Sequence, residues 1–271
     1  MKLTLAVSAR TDAGAVRAVN EDAVLARDPV FVVADGMGGH ARGDLASSTA
    51  VRIVGERIPE GSDVSPGDVL DAISAANDAV RALSTEDASG VAVAGTTLAG
   101  VVAVNGSGSG TRYWMIVNIG DSRVYGWDGA RLTQLSVDHS AVQELIDAGV
   151  LSVQDAGAHP ERNVITRALG AADDIDVDVW MLPVGGEQTF LICSDGLSKE
   201  LDDDEIATIL RENPHDHRLA DVLTEAAIAA GGRDNVTALV VSSWPSSETA
   251  DHDTVERPDH RQYLEDTRPR L

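Results

Sequence analysis

Four aspartates stand where an apolar run gives way to a polar or glycine-rich word: Asp35 in FVVADGMGGH, Asp121 in VNIGDSRV, Asp195 in LICSDGL and Asp234 in GGRDNVTALVV. Each reads as the edge of a buried strand, with no His or Cys immediately beside it. Carboxylates gathered from several strand edges form an oxygen-only donor set, which is the chemistry of a hard divalent cation. A single Asp in such a place is ordinarily a turn residue or a helix cap. The neighbours set these four apart. Asp35 precedes Gly36-Met37-Gly38-Gly39, a stretch poor in side chains where a cation or phosphate can approach the backbone. Asp195 precedes Gly196, and Asp234 lies between Gly231-Gly232 and Asn235.

Elements that could hold these residues are legible around them. Apolar runs predict strands over 3–8, 23–27, 30–34, 96–104, 112–119, 123–127, 175–182, 189–193 and 236–242. Continuous runs such as Phe31-Val32-Val33-Ala34 require a strand covered on both faces. Residues 174–181 alternate strictly, which predicts a half-buried strand with Asp174, Asp176 and Asp178 on a solvated face. Ser65-Pro66-Gly67-Asp68 opens a helix, with Val69, Ile73, Ala76, Val80 and Leu83 along one face. Similar periodicity runs over 44–58. Asp202 with Glu205 caps a third helix through Leu210, and a fourth over 217–230 stops at Gly231-Gly232. Helices paired between groups of strands predict a layered α+β sandwich rather than alternating βαβ units. Gly106-Ser107-Gly108-Ser109-Gly110 reads as a hairpin loop, and the chain from 245 to 271 as a polar, disordered tail behind a domain over 1–244.

Composition narrows the functional classes. The chain has 271 residues, enough for a substantial core, but only nine aromatics, so Val, Ile, Leu and Ala must build it. A net charge of −23 lacks the basic footprint that nucleic acid or an anionic membrane needs. The single cysteine, Cys193, excludes an intrachain disulfide and Cys-rich zinc sites. No apolar run approaches a membrane span or a signal segment, so a cytoplasmic protein is expected.

Taken in order, the words resemble the protein phosphatase 2C family of metal-dependent protein phosphatases over nearly the whole chain. They are Gly14-x-x-Arg17-x-x-Asn20-Glu21-Asp22, Ala34-Asp35-Gly36-Met37-Gly38-Gly39-His40 and Gly95-Thr96-Thr97. Ile119-Gly120-Asp121-Ser122-Arg123, Asp138-His139-Ser140, Cys193-Ser194-Asp195-Gly196-Leu197 and Gly232-Arg233-Asp234-Asn235-Val236-Thr237 follow. The glycine stretch ending in histidine resembles the bacterial branch. The resemblance implies a four-layer αββα sandwich of two antiparallel sheets flanked by helix pairs. It implies that Asp35 bridges two Mn²⁺ or Mg²⁺ ions, that the Gly36 carbonyl ligates one, and that Asp195 and Asp234 complete the other site. Glu21 would act through a water, Asp22 would support the cluster from behind, and Asp121 with Asp195 would hold a weaker third ion. Arg17 matches the family arginine that grips the substrate phosphate. Residues 138–170 correspond to a flap beside the metals, where His139 is expected to be structural.

The expected activity is hydrolysis of phosphoserine and phosphothreonine in proteins, without a phosphoenzyme. Crowded carboxylates cannot all ionise without cations. Two ions about 3.5–4 Å apart can acidify a bridging water to hydroxide near neutral pH. Animal members place a histidine two residues after the bridging aspartate, where this chain has Met37, so His40 is the candidate acid for the leaving oxygen. Partners implied are a Ser/Thr kinase and its substrates, and a monomer is expected. Two alternatives stay open: a catalytically inactive phosphoprotein-binding module and a metal phosphoesterase for small phosphoesters. A cysteine-nucleophile phosphatase is disfavoured, because the position six residues after Cys193 holds Lys199 rather than arginine.

Overall fold

The computed structural model describes residues 3–37, 42–87, 90–92, 94–106, 111–214 and 216–246. Strands β1 (Leu3–Asp12), β2 (Asp22–Arg27) and β3 (Val30–Met37) lead into two long helices, α1 (Gly43–Arg57) and α2 (Pro66–Arg81). The short β4 (Thr85–Asp87), β5 (Gly90–Ala92) and β6 (Gly95–Thr96) precede β7 (Leu98–Asn105), β8 (Arg112–Ile119), β9 (Arg123–Trp127) and β10 (Leu132–Gln134). Two short helices follow, α3 (Ala141–Asp147) and α4 (Val153–Ala156). The remainder is β11 (Asp178–Pro183), β12 (Gln188–Cys193), the one-turn α5 (Asp195–Ser198), α6 (Asp203–Glu212), α7 (Leu219–Ala230) and β13 (Val236–Pro245).

Two antiparallel sheets result, ordered β1-β13-β12-β9-β10 and β11-β8-β7-β3-β2, with β6 pairing the end of β3. Three apolar clusters glue four layers together. In β3, Val30, Val32 and Ala34 face the layer of α1 and α2, while Phe31 and Val33 face the opposite sheet. That double burial is why the run is continuously apolar. Between the sheets Trp114 stacks edge-on against Phe190 at 5.4 Å and lies 6.2 Å from Phe31. A third cluster joins Leu191, Val236 and Val240 to Leu210, Leu219 and Leu223 of α6 and α7. The αββα sandwich is therefore the observed architecture.

The capping signals hold. Ser65 and Asp68 form a reciprocal capping box on α2, as do Asp202 and Glu205 on α6. Long-range pairing shifts other boundaries: β1 runs four residues past its apolar stretch because all ten of its residues pair with β13. The alternating 174–181 segment departs from expectation. Regular pairing begins only at Asp178, and Trp180 and Leu182 are buried between the sheets, so the strand is covered on both faces. Val179 and Met181 pack on the helix side. Residues 107–110, 247–271 and His40 lie outside the described residues.

Candidate metal centre

Antiparallel pairing brings the carboxylates to one end of the sandwich. Asp22 opens β2 and is the direct cross-strand partner of Asp35 near the end of β3. Like charges directly opposite each other repel, so this register marks a place where fold stability alone is not being optimised. Asp195 leaves the end of β12, and Asp234 stands two residues before β13, its antiparallel neighbour. Asp121 sits in the turn between β8 of one sheet and β9 of the other, after Gly120 with φ 101°.

Asp35 occupies a junction in its strand. Pairing of β3 with β7 stops at Val33, and pairing with β6 starts at Gly36. The Gly95-Thr96-Thr97 word fills the gap. Thr97 Oγ1 accepts the Asp35 N–H at 2.9 Å, and the Thr97 N–H and Thr96 hydroxyl both donate to the Asp35 carbonyl at 2.9 Å. The Thr97 hydroxyl also shares a 2.7 Å bond with Ser122, beside Asp121. Asp22 is fixed by the hydroxyls of Ser194 and Thr237, each 2.7 Å from Oδ2. These serines and threonines were inside the motif words, but nothing in their spacing revealed that they lock the carboxylates.

Glu21 and the Gly36 carbonyl converge at the start of α1. A Cβ on Gly43 would stand 2.6 Å from Glu21 Oε1 and 2.8 Å from the Gly36 oxygen, so only glycine allows that approach. The Glu21 N–H donates to Asn235 Oδ1 at 2.8 Å, while Asn235 Nδ2 donates to the carbonyls of Ala13 and Val19. Asn235 thereby staples the loop carrying Arg17 and Glu21 to the strand behind Asp234. Gly196 is equally constrained, since a Cβ there would lie 1.9 Å from the Asn235 oxygen.

Electrostatics make this end a candidate cation site. Burial first, and then Asp22, Asp195, Asp121 and Asp234, push Asp35 well above the usual carboxylate range. Burial likewise raises Asp22 and Asp121 to about 7, with Asp195 adding to both. Among the described residues, neither Asp22 Oδ1 nor Asp121 Oδ1, both buried, has a hydrogen-bond partner. Orphaned buried carboxylate oxygens in an all-oxygen donor set fit Mg²⁺ or Mn²⁺. Among the described residues, no three His, Cys, Asp or Glu side chains converge on a single metal-binding point. Two of the ligand candidates are turned onto cationic side chains: Asp195 contacts the Lys199 ammonium, and Asp234 Oδ2 accepts from Arg17 Nη2 at 2.9 Å.

His139 is buried beside the centre. Its Nδ1 accepts the Gly120 N–H at 3.0 Å, and its Nε2 stands 3.2 Å from Asp178 Oδ2. Arg167 from the flap region holds the other Asp178 oxygen at 2.7 Å. Despite burial, which pushes the other way, His139 and Arg167 hold Asp178 below the ordinary carboxylate range. Asp178 is thus an internal anchor rather than a solvated face residue. Cys193 is fully buried and its thiol is pushed up to about 12, chiefly by burial, which removes it as a nucleophile.

Comparison with known proteins shows the family of the chain. The model of the family described as Protein phosphatase 2C matches residues 12–231. A serine/threonine phosphatase of Listeria welshimeri is 36% identical over 244 residues, covering 86% of this chain and 93% of that protein. The serine/threonine protein phosphatase PstP of Mycobacterium tuberculosis is 36% identical over 241 residues, 88% of this chain but 45% of that longer protein. The solved catalytic domain of PstP, in complex with two manganese ions, superposes with a TM-score of 0.77 at 33% identity, covering 90% of this chain and all of that one.

Proposed function

The chain belongs to the protein phosphatase 2C family of metal-dependent serine/threonine protein phosphatases, and from that premise we propose which of its residues carry the reaction. Asp35, the Gly36 carbonyl, Asp195 and Asp234 hold two core ions, Mn²⁺ or Mg²⁺. Glu21 acts through a water, and Asp22 supports Asp35 from behind. Asp121 with Asp195 forms the place for a weaker third ion. The observation that carries this assignment is the buried, mutually repelling carboxylate group at one end of the sheets, with two oxygens lacking partners.

Divalent ions bound there supply Lewis acidity and a water of lowered pKa. The chain's own residues do the rest. Arg17 stands half-exposed at the mouth, and its planar fork can exchange Asp234 for two oxygens of a phosphate dianion. Hydrolysis adds water to phosphorus, breaks the bond to the Ser or Thr oxygen and returns one proton to that oxygen. His40, five residues after Asp35, is the candidate donor. Phosphoproteins are the substrates, with a Ser/Thr kinase as the expected counterpart and a monomer over residues 1–244 as the working unit. Among the described residues no helix is long and apolar enough to cross a membrane. Rates on a phosphothreonine peptide and a nucleotide, compared with Mn²⁺ and with excess EDTA, test the reading. Preferred turnover of the peptide that EDTA abolishes is expected; robust turnover in EDTA would overturn it.

A further inference from the structure

Lys199 is one of only two lysines in the chain, the other being Lys2. It follows Asp195 by four residues, and the single turn of α5 puts the two side chains on one face. The Lys199 N–H donates to the Asp195 carbonyl at 2.8 Å, closing that turn, and the ammonium contacts the Asp195 carboxylate. This pair differs from an ordinary surface pair: the Asp195 side chain is only 14% exposed. Asp121 lies within electrostatic reach of the same ammonium and is itself buried, its Oδ1 without a partner among the described residues. At 38% exposure the Lys199 side chain also has an open path to water.

We propose that the Lys199 ammonium is the resident cation of the Asp121–Asp195 side of the centre, so that a third divalent ion binds only by displacing it. The proposal rests on the two-ion reading above. An ammonium supplies one positive charge and three donors to carboxylates that would otherwise repel each other, without needing metal. Arg17 serves Asp234 in a comparable way, but from a half-exposed position. Lys199 therefore sets how many divalent ions this chain holds at ordinary concentrations: two, with the third position guarded.

Equilibrium dialysis with Mn²⁺, counted by atomic absorption, tests this on the full chain. Wild type should hold two ions and take a third only weakly. Lys199→Gln should bind the third ion about tenfold or more tightly, because a competing charge a few ångströms away is gone. The gain should vanish in Lys199→Gln/Asp121→Asn, and Lys199→Arg, which keeps the charge, should behave as wild type. Metal-free Lys199→Gln should also melt below wild type and recover with Mn²⁺. Equal third-site affinity in wild type and Lys199→Gln, or a gained ion in Lys199→Arg, overturns the proposal. Retention of both core ions in Asp35→Asn would instead overturn the underlying two-ion reading, so the two failures are distinguishable.

Discussion

The molecule has two strongly acidic regions, and they behave in opposite ways. At the candidate metal end, Asp22, Asp35, Asp121, Asp195 and Asp234 come from five separate chain segments; Asp121 is buried, Asp22 and Asp35 are part-buried, and side-chain exposure is 14% at Asp195 and 34% at Asp234. On the far side of the helix layer, Asp71, Asp173, Asp174 and Asp176 line a surface hollow between α2 and the approach to β11. These four are exposed, and Arg81 pairs with Asp173. The second region gathers four aspartates to the first region's five, yet solvent screens it. Charge density alone therefore marks no site. Burial together with unpartnered oxygens does, because only there must something else neutralise the charge.

The sharpest way to break this contrast is one isosteric change in each region. Asp35→Asn should lower phosphopeptide turnover by more than about a hundredfold, beyond the 10–100-fold typical of losing a ligand's supporting partner. Asp174→Asn and Asp176→Asn should leave turnover unchanged in the same assay. Comparable losses from both regions would erase the distinction.

A smaller effect is expected one layer behind the ligands. Thr97→Val removes the hydroxyl that accepts the Asp35 N–H and bonds Ser122. Mn²⁺ affinity, measured by calorimetry, should fall by about 10–100-fold with the fold retained. An unchanged Kd would mean that the threonines only shape the strand.

The anchor that His139 forms beside the Asp121 turn should register mainly as stability. His139→Leu leaves the Gly120 N–H without its partner and removes the ring nitrogen 3.2 Å from Asp178 Oδ2. A loss of about 1–3 kcal/mol is expected from urea unfolding.

The response to pH tests the buried region. Asp22 and Asp121 have folded values of about 7, above their ordinary 3.8, so the folded state holds protons that the unfolded chain has already released. Without metal, stability should be highest below about pH 4 with respect to these groups and fall as pH rises through 7. Saturating Mn²⁺ should flatten that slope in melting curves. A metal-free protein whose melting temperature rises from pH 5 to 8 would contradict the buried, repelling arrangement. The exposed region marks the lower end of the scale: Asp174→Asn should shift stability by less than about 0.5 kcal/mol.

Much of this was legible along the chain because the signals are local. The capping boxes at Ser65 and Asp202 need only three residues each, and both appear where the spacing predicts them. The doubly buried β3 announces itself as an unbroken apolar run. The motif words identified the ligand candidates and the family. Less legible was the segment around Asp178, whose alternation hides two opposite environments: Val179 meets the helix layer, while Trp180 enters the space between sheets. Alternation reports that two faces differ, and it says nothing about whether the second face is also covered.

What the sequence determined by itself was the residue types at the strand edges, the order of the motif words and the helix caps, since each depends on neighbours a few residues apart. Only the tertiary structure decided that Asp22 faces Asp35 across a strand pair, that Thr97 and Asn235 lock loops from distant segments, and that Lys199 and Arg17 stand on the ligand carboxylates. Those facts depend on which strands become neighbours and on how deeply each end is buried. Both are settled by packing the two sheets and their flanking helices at once, and no local spacing encodes the result.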